Sequence, residues 1–166
     1  MKLHIENSFP ADPRTIWDLF ISRDFESRLE EASGVIYETL SEEMVDGVEC
    51  RRVKVTAKKD LPRIVAKALG SGRLSYTQVT YLDRDTHILE WEVIPMAMSD
   101  QVTAKGVTMI VPEEDGGCRR VVDGNVSVRI PLVGGAIEKA IVREVEDSYN
   151  KASTMALTML DERAAS

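Results

Sequence analysis

The chain has 166 residues, 43% hydrophobic and 30% charged, with 21 Lys and Arg against 28 Asp and Glu for a net charge of −7. A chain of this length buries roughly two thirds of the surface that its unfolded form exposes, so residues 1–166 are expected to form a single domain that needs neither disulfide nor metal. The composition excludes disorder, collagen-like repeats and coiled coil, and the acidic balance excludes a chain that wraps nucleic acid by overall charge. Cys50 and Cys118 fall in no C-x-x-C spacing and are expected to be small buried hydrophobes in a reducing compartment. No apolar run resembles a signal peptide or approaches the ~20 residues of a membrane span, which makes a cytoplasmic location the expectation.

Leu3, Ile5 and Phe9 alternate with polar neighbours in the period of a half-buried strand, and Pro10 ends it. Asp12 suits a helix N-cap and Pro13 the first helical position, with Ile16, Leu19 and Phe20 at helical spacing beyond. A second short helix is predicted over 24–32, closed by Gly34. Strands are predicted over 35–42, 48–57, 73–82, 87–95, 101–112 and 118–130, joined by short polar turns as in an antiparallel meander. One helix interrupts them, from Asp60 as N-cap through Pro62, Ile64, Val65, Ala68 and Leu69 to Gly70. In the strand over 101–112 the apolar parity switches after Gly106, for which a glycine bulge is the expected cause. From Ala136 to Leu160, Ile137, Ile141, Val145, Tyr149, Ala152 and Met159 recur every three or four residues, the mark of one long helix.

This order of elements resembles the START-like superfamily, also called helix-grip or SRPBCC, and within it an uncharacterised bacterial subgroup. Three segments carry the resemblance: the opening strand with Asp12-Pro13-Arg14-Thr15-Ile16-Trp17-Asp18-Leu19-Phe20, the final strand Val126-Ser127-Val128-Arg129-Ile130, and the turn from Pro131 to Gly135. The resemblance implies an α+β fold in which a curved seven-stranded antiparallel sheet wraps a long C-terminal helix, with two small helices after the first strand. It also implies a cavity between sheet and helix for an apolar ligand such as a lipid, sterol, isoprenoid or polyketide. The superfamily includes carriers, aromatase/cyclases and chaperone regulators, so the fold alone does not settle the function.

On that fold Leu89, Trp91 and Val93, with Val126 and Val128 across the sheet and Ile141, Val145 and Tyr149 on the final helix, are expected to line the cavity. Tyr76, Met96 and Met109 are large or adaptable side chains expected at concave positions. A solid core built of the same residues is the alternative. Metal and cofactors are not expected, because His4 and His87 lie in no ligand spacing, no serine sits in G-x-S-x-G, and Gly134-Gly135 lacks the rest of a phosphate loop.

The stretch from Arg51 to Arg73 holds eight bases and one acid, a charge of +7 against −14 for the rest of the chain. Such asymmetry points to an anionic partner, a membrane surface or a ligand's acidic end, although a solvated face is the plainer explanation. Nucleic acid is not expected, since no aromatic residue is interleaved among these bases. By the resemblance, Ile64 and Ala68 would cover the cavity mouth, with Lys58, Lys59, Arg63 and Lys67 in water beside it.

The expected function is binding, carriage or sensing of an apolar small molecule, without catalysis. An enzyme of the cyclase or isomerase kind, using Tyr76, Gln78 or Tyr149, is the runner-up. A protein-interaction module resembling the chaperone regulators is the third class.

Overall fold

Leu3, Ile5 and Phe9 of β1 (Lys2–Phe9) turn inward on alternate positions, as the period of two requires. In the computed structural model, which describes residues 1–166 apart from the side chains of Ala68 and Leu69, two small helices follow. Asp12 caps α1 (Pro13–Phe20) through both carboxylate oxygens, taking the Thr15 N–H at 3.0 Å and the Thr15 hydroxyl at 2.6 Å. Ser22 caps α2 (Arg23–Ser33) by accepting from the Phe25 N–H, and Gly34 ends it at a φ of 67°, where only glycine is unstrained.

The chain then meanders through β2 (Val35–Val45), β3 (Val48–Asp60), β4 (Arg73–Asp83), β5 (Ile88–Pro95), β6 (Val102–Pro112) and β7 (Cys118–Val128). All pairings are antiparallel, and β1 returns to pair with β7, giving one seven-stranded sheet in the order β1-β7-β6-β5-β4-β3-β2 with β1 and β2 at its edges. The final helix α4 (Gly134–Ala165) has 32 residues, about 48 Å at 1.5 Å per residue. This is the α+β helix-grip architecture expected from the element order, with the long helix lying on the inner sheet face.

Several details differ from the sequence expectation. The helix between β3 and β4, α3 (Arg63–Leu69), has Pro62 as N-cap and no side-chain cap, because Asp60 is still in the β-ladder opposite Arg73 and its carboxylate faces that guanidinium at 3.4 Å. No bulge interrupts β6, whose pairing with both β5 and β7 runs in unbroken register through Gly106. The inward set of β6 is therefore Val102, Ala104, Gly106, Thr108 and Ile110, and Met109 stands on the outer face. The irregularities lie elsewhere: one in β2 between Thr39 and Ser41, which leaves Leu40 unpaired and 51% exposed, and one in β3 after Thr56.

Helix α4 begins at Gly134 rather than Ala136 and runs on past Leu160 to Ala165. A Cβ at Gly134 would collide with the Val128 carbonyl oxygen, so glycine lets the first turn sit against the end of β7. Glu138 secures the same junction by accepting from the Val128 N–H at 2.9 Å, and this bond holds its carboxyl below the ordinary range.

The core divides along α4. Ile137 and Val142 pack with Leu3, Val102, Val122 and Val128, joined by Val65 of α3, while Ala152, Ala156 and Met159 pack with Phe9, Ile16, Leu19 and Phe25. Ile137 is 1% exposed. Truncating it by Ile137→Ala should cost about 2–5 kcal/mol of unfolding free energy, read as a lower urea midpoint with an unchanged slope.

Candidate functional site

Where α4 passes from one core cluster to the other, it stands off the sheet and leaves a cavity of about 310 Å³. The sheet contributes Tyr76 and Gln78 from β4, Leu89, Trp91 and Val93 from β5, Val102, Ala104, Thr108 and Ile110 from β6, and Arg120 and Val126 from β7. Ile141, Glu144, Val145, Ser148, Tyr149 and Ala152 of α4 face them, and Trp17, Phe20, Phe25 and Leu29 of α1 and α2 close one side. The walls are mainly aromatic and aliphatic, with few polar groups, the composition typical of small-molecule sites.

Eight of the sequence-derived candidates border this space: Tyr76, Leu89, Trp91, Val93, Val126, Ile141, Val145 and Tyr149. Three do not. Met96 lies past the end of β5 and is 61% exposed. Met109 faces outward because the unbroken register of β6 gives its inward place to Thr108. Val128 is buried where the start of α4 closes onto β7, so packing fills the space it faces.

The candidates around α3 do not form a wall either. Lys58, Lys59, Arg63 and Lys67 are exposed and Ile64 is 59% exposed; none of the five borders the cavity. Among the described residues of α3, Val65 is the buried one, and Ala68 lies outside the described residues. Part of the basic stretch is neutralised locally, since Arg51 meets Glu26 at 2.6 Å and Glu42 at 3.1 Å.

The floor beneath Trp91 depends on glycine. Trp91 is paired with Gly106, and Gly106 with Gly124 on the next strand, so the indole lies across two positions that have no side chain. A Cβ at Gly124 would come within 2.7 Å of the Trp91 ring, and one at Gly106 within 2.5 Å. The parity switch noted in the sequence is thus the seat of a tryptophan, not a bulge. Adding one methyl group by Gly124→Ala should lower stability by about 1–3 kcal/mol and shift the Trp91 emission, measurable by denaturant titration and fluorescence.

Arg120, absent from the sequence-derived set, is the one charged side chain buried in the wall among the described residues, at 4% exposure. Its Nη2 donates to Asn7 Oδ1 at 2.8 Å, the Tyr149 carbonyl at 3.0 Å and Ser153 Oγ at 2.9 Å. Its guanidinium carbon sits 4.4 Å from the Phe20 ring centre and 4.7 Å from that of Tyr149. Burial pushes its pKa down to about 10, so the group remains a cation at neutral pH. The available signal was its parity: Arg120 shares the inward face of β7 with Cys118, Val122 and Val126, where a charge is out of place.

Other polar groups are arranged for hydrogen bonding rather than for nucleophilic attack. Thr108 Oγ1 lies 3.5 Å from the Tyr149 hydroxyl. Burial raises the Tyr76 phenol well above its ordinary range, with Tyr37, Tyr149 and Glu144 adding to the effect, which keeps it a neutral donor. Burial likewise pushes the Cys118 thiol up to about 11, away from thiolate chemistry.

The model of a family described as "Protein of unknown function (DUF2505)" matches residues 4–160. The chain belongs to this family. A search of curated proteins finds none similar in sequence. Among solved structures, this member of the family is similar to TTHA0849 from Thermus thermophilus, at 16% identity and a TM-score of 0.69 over 96% of this chain and 99% of that one. It is similar to the Zhui aromatase/cyclase from a Streptomyces species at 13% identity and a TM-score of 0.64, covering 99% and 96% of the two chains. It is also similar to Ara h 8.0201, at 12% identity and a TM-score of 0.62 over 95% and 98%. At these identities the likeness is one of fold, the START-like helix-grip. No helix among the described residues is long and apolar enough to cross a membrane.

Proposed function

We propose that this protein binds an apolar small molecule in the space between its sheet and α4, and carries or senses it. The observation that supports this is the cavity itself: α4 is packed tightly at both ends and leaves about 310 Å³ between them, walled by aromatic and aliphatic side chains. That space suits a ligand at the small end of the usual range, such as a fatty acyl, isoprenoid or polyketide-like molecule. Trp17 and Trp91 both border it, so filling it should alter intrinsic fluorescence. Titration with a fatty alcohol, farnesol and a sterol should give a saturable change at one equivalent for at least the smaller probes. No saturable change with any of them would defeat the proposal.

A cyclase- or isomerase-type reaction on such a ligand is the second reading, favoured because Tyr76, Gln78 and Tyr149 all reach the same space. In that case the two tyrosines would act as hydrogen-bond donors to a carbonyl or enol oxygen of the ligand.

Contact with an anionic membrane is proposed for the outside of α3, where Ile64 is exposed among Lys58, Lys59, Arg63 and Lys67, and none of these four bases has an ion-pair partner among the described residues. Each such base adds up to about 1 kcal/mol on an anionic surface, and salt weakens the effect. Replacing all four by Gln should abolish binding to phosphatidylserine vesicles at low salt and leave the absence of binding to neutral vesicles unchanged, as measured by co-sedimentation.

A further inference from the structure

We propose that Arg120 is the recognition point for a carboxylate on the cavity ligand, so that the protein takes an amphipathic acid rather than a neutral apolar molecule. The inference rests on the reading of the cavity as a ligand site and adds to it the chemistry of the ligand's polar end.

Arg120 is a buried cation with no anionic partner among the described residues. Its acceptors there are an amide oxygen, a backbone carbonyl and a hydroxyl, and all three are served by Nη2. Nε is buried without a partner and Nη1 donates no hydrogen bond among the described residues. Taking a guanidinium out of water is costly unless its charge and its N–H groups are matched, and neutral acceptors on one nitrogen match them incompletely.

The rings of Phe20 and Tyr149 pack against the guanidinium, and Phe9 stands 5.8 Å away, so aromatic rings surround it where water otherwise would. The N–H groups left unmatched are those of Nε and Nη1, and a carboxylate is the group whose charge and geometry suit a guanidinium.

Other groups on the wall agree with this polarity. Ile110 is paired with Arg120, and Thr108, two residues along the same face, brings its hydroxyl near that of Tyr149. Both residues border the same cavity as Arg120, and each hydroxyl can donate to an oxygen there. The other buried nitrogens of the wall that lack a partner, Trp17 Nε1 and Trp91 Nε1, are donors as well. The acid on the wall, Glu144, is an exposed residue. An acceptor-rich, negatively charged group therefore complements the wall better than a donor does.

The competing explanation is that Arg120 serves only to join β7 to β1 and α4. Decanoate, decan-1-ol and methyl decanoate separate the two, because they share one apolar chain and differ in charge. At neutral pH the wild type should bind decanoate about tenfold or more tightly than the alcohol or the ester, by calorimetry or tryptophan fluorescence. Arg120→Met should erase that preference, so that within the variant the acid, the alcohol and the ester bind alike, whatever their common affinity. The Gln variant of Lys58, Lys59, Arg63 and Lys67 should retain the preference, a result that supports the assignment even if Arg120→Met does not fold.

Equal binding of all three probes by the wild type would overturn the carboxylate site and leave the apolar cavity standing. Binding of none would overturn both. A preference for the acid that survives Arg120→Met, or that disappears in the four-site Gln variant, would overturn the role of Arg120 in favour of the surface bases.

Discussion

One guanidinium joins four parts of this fold. Arg120 extends from β7, bonds through a single nitrogen to Asn7 on β1 and to Tyr149 and Ser153 on α4, and lies beside Phe20 at the end of α1. The acceptor at Tyr149 is a helix carbonyl that also receives the Ser153 hydroxyl, so the bond reaches the main chain of α4 and not only a movable side chain. Directional bonds from β7 to two other elements, β1 and α4, restrain the position of the long helix along and across the sheet, where apolar contacts alone would tolerate sliding. Packing supplies the bulk of the stability; the buried charge supplies position, at a cost in desolvation. The cavity lies beside this tie, with Arg120 and Tyr149 both on its wall.

Much of the architecture was legible in the residues. The cap at Asp12, the stop at Gly34, the six-strand meander and the stripe on α4 are local signals, set by hydrogen-bonding side chains and by periodicity, and tertiary packing did not override them. What escaped were features decided by partners distant in sequence. Gly106 reads as a bulge until Trp91 and Gly124 are placed beside it, because a glycine that weakens pairing and a glycine that makes room for a ring look the same in one strand. Met109 was misplaced by the same inference, while Thr108, the polar residue next to it, took the inward position.

The site shows a similar division. Aromatic and aliphatic wall residues could be assigned from strand parity once the order of the strands was known. Arg120 carries the same parity signal as its neighbours, but its charge argues for the outer face, and only the alignment of Asn7, Ser153 and two aromatic rings explains how it is accommodated inside. Conversely, the concentration of bases from Arg51 to Arg73 is conspicuous in the sequence and lies outside the cavity, with Arg51 committed to Glu26 and Glu42. Charge density along a chain is a poor guide to where charge is unusual in space. One guanidinium in an apolar wall is more demanding than several lysines in water.

The irregularity at Leu40 has a bearing on how these molecules meet in solution. β2 is an edge of the sheet, and a long flat edge offers free N–H and C=O groups to any other extended chain. Here the step in register between Thr39 and Ser41 breaks that row near its middle, and Glu38 and Glu43 place negative charge on either side of it. A second copy approaching edge to edge meets like charges and a backbone out of step. The exposed Ile36, Leu40, Met44 and Val45 can therefore remain on this strand without making it a template for fibril growth.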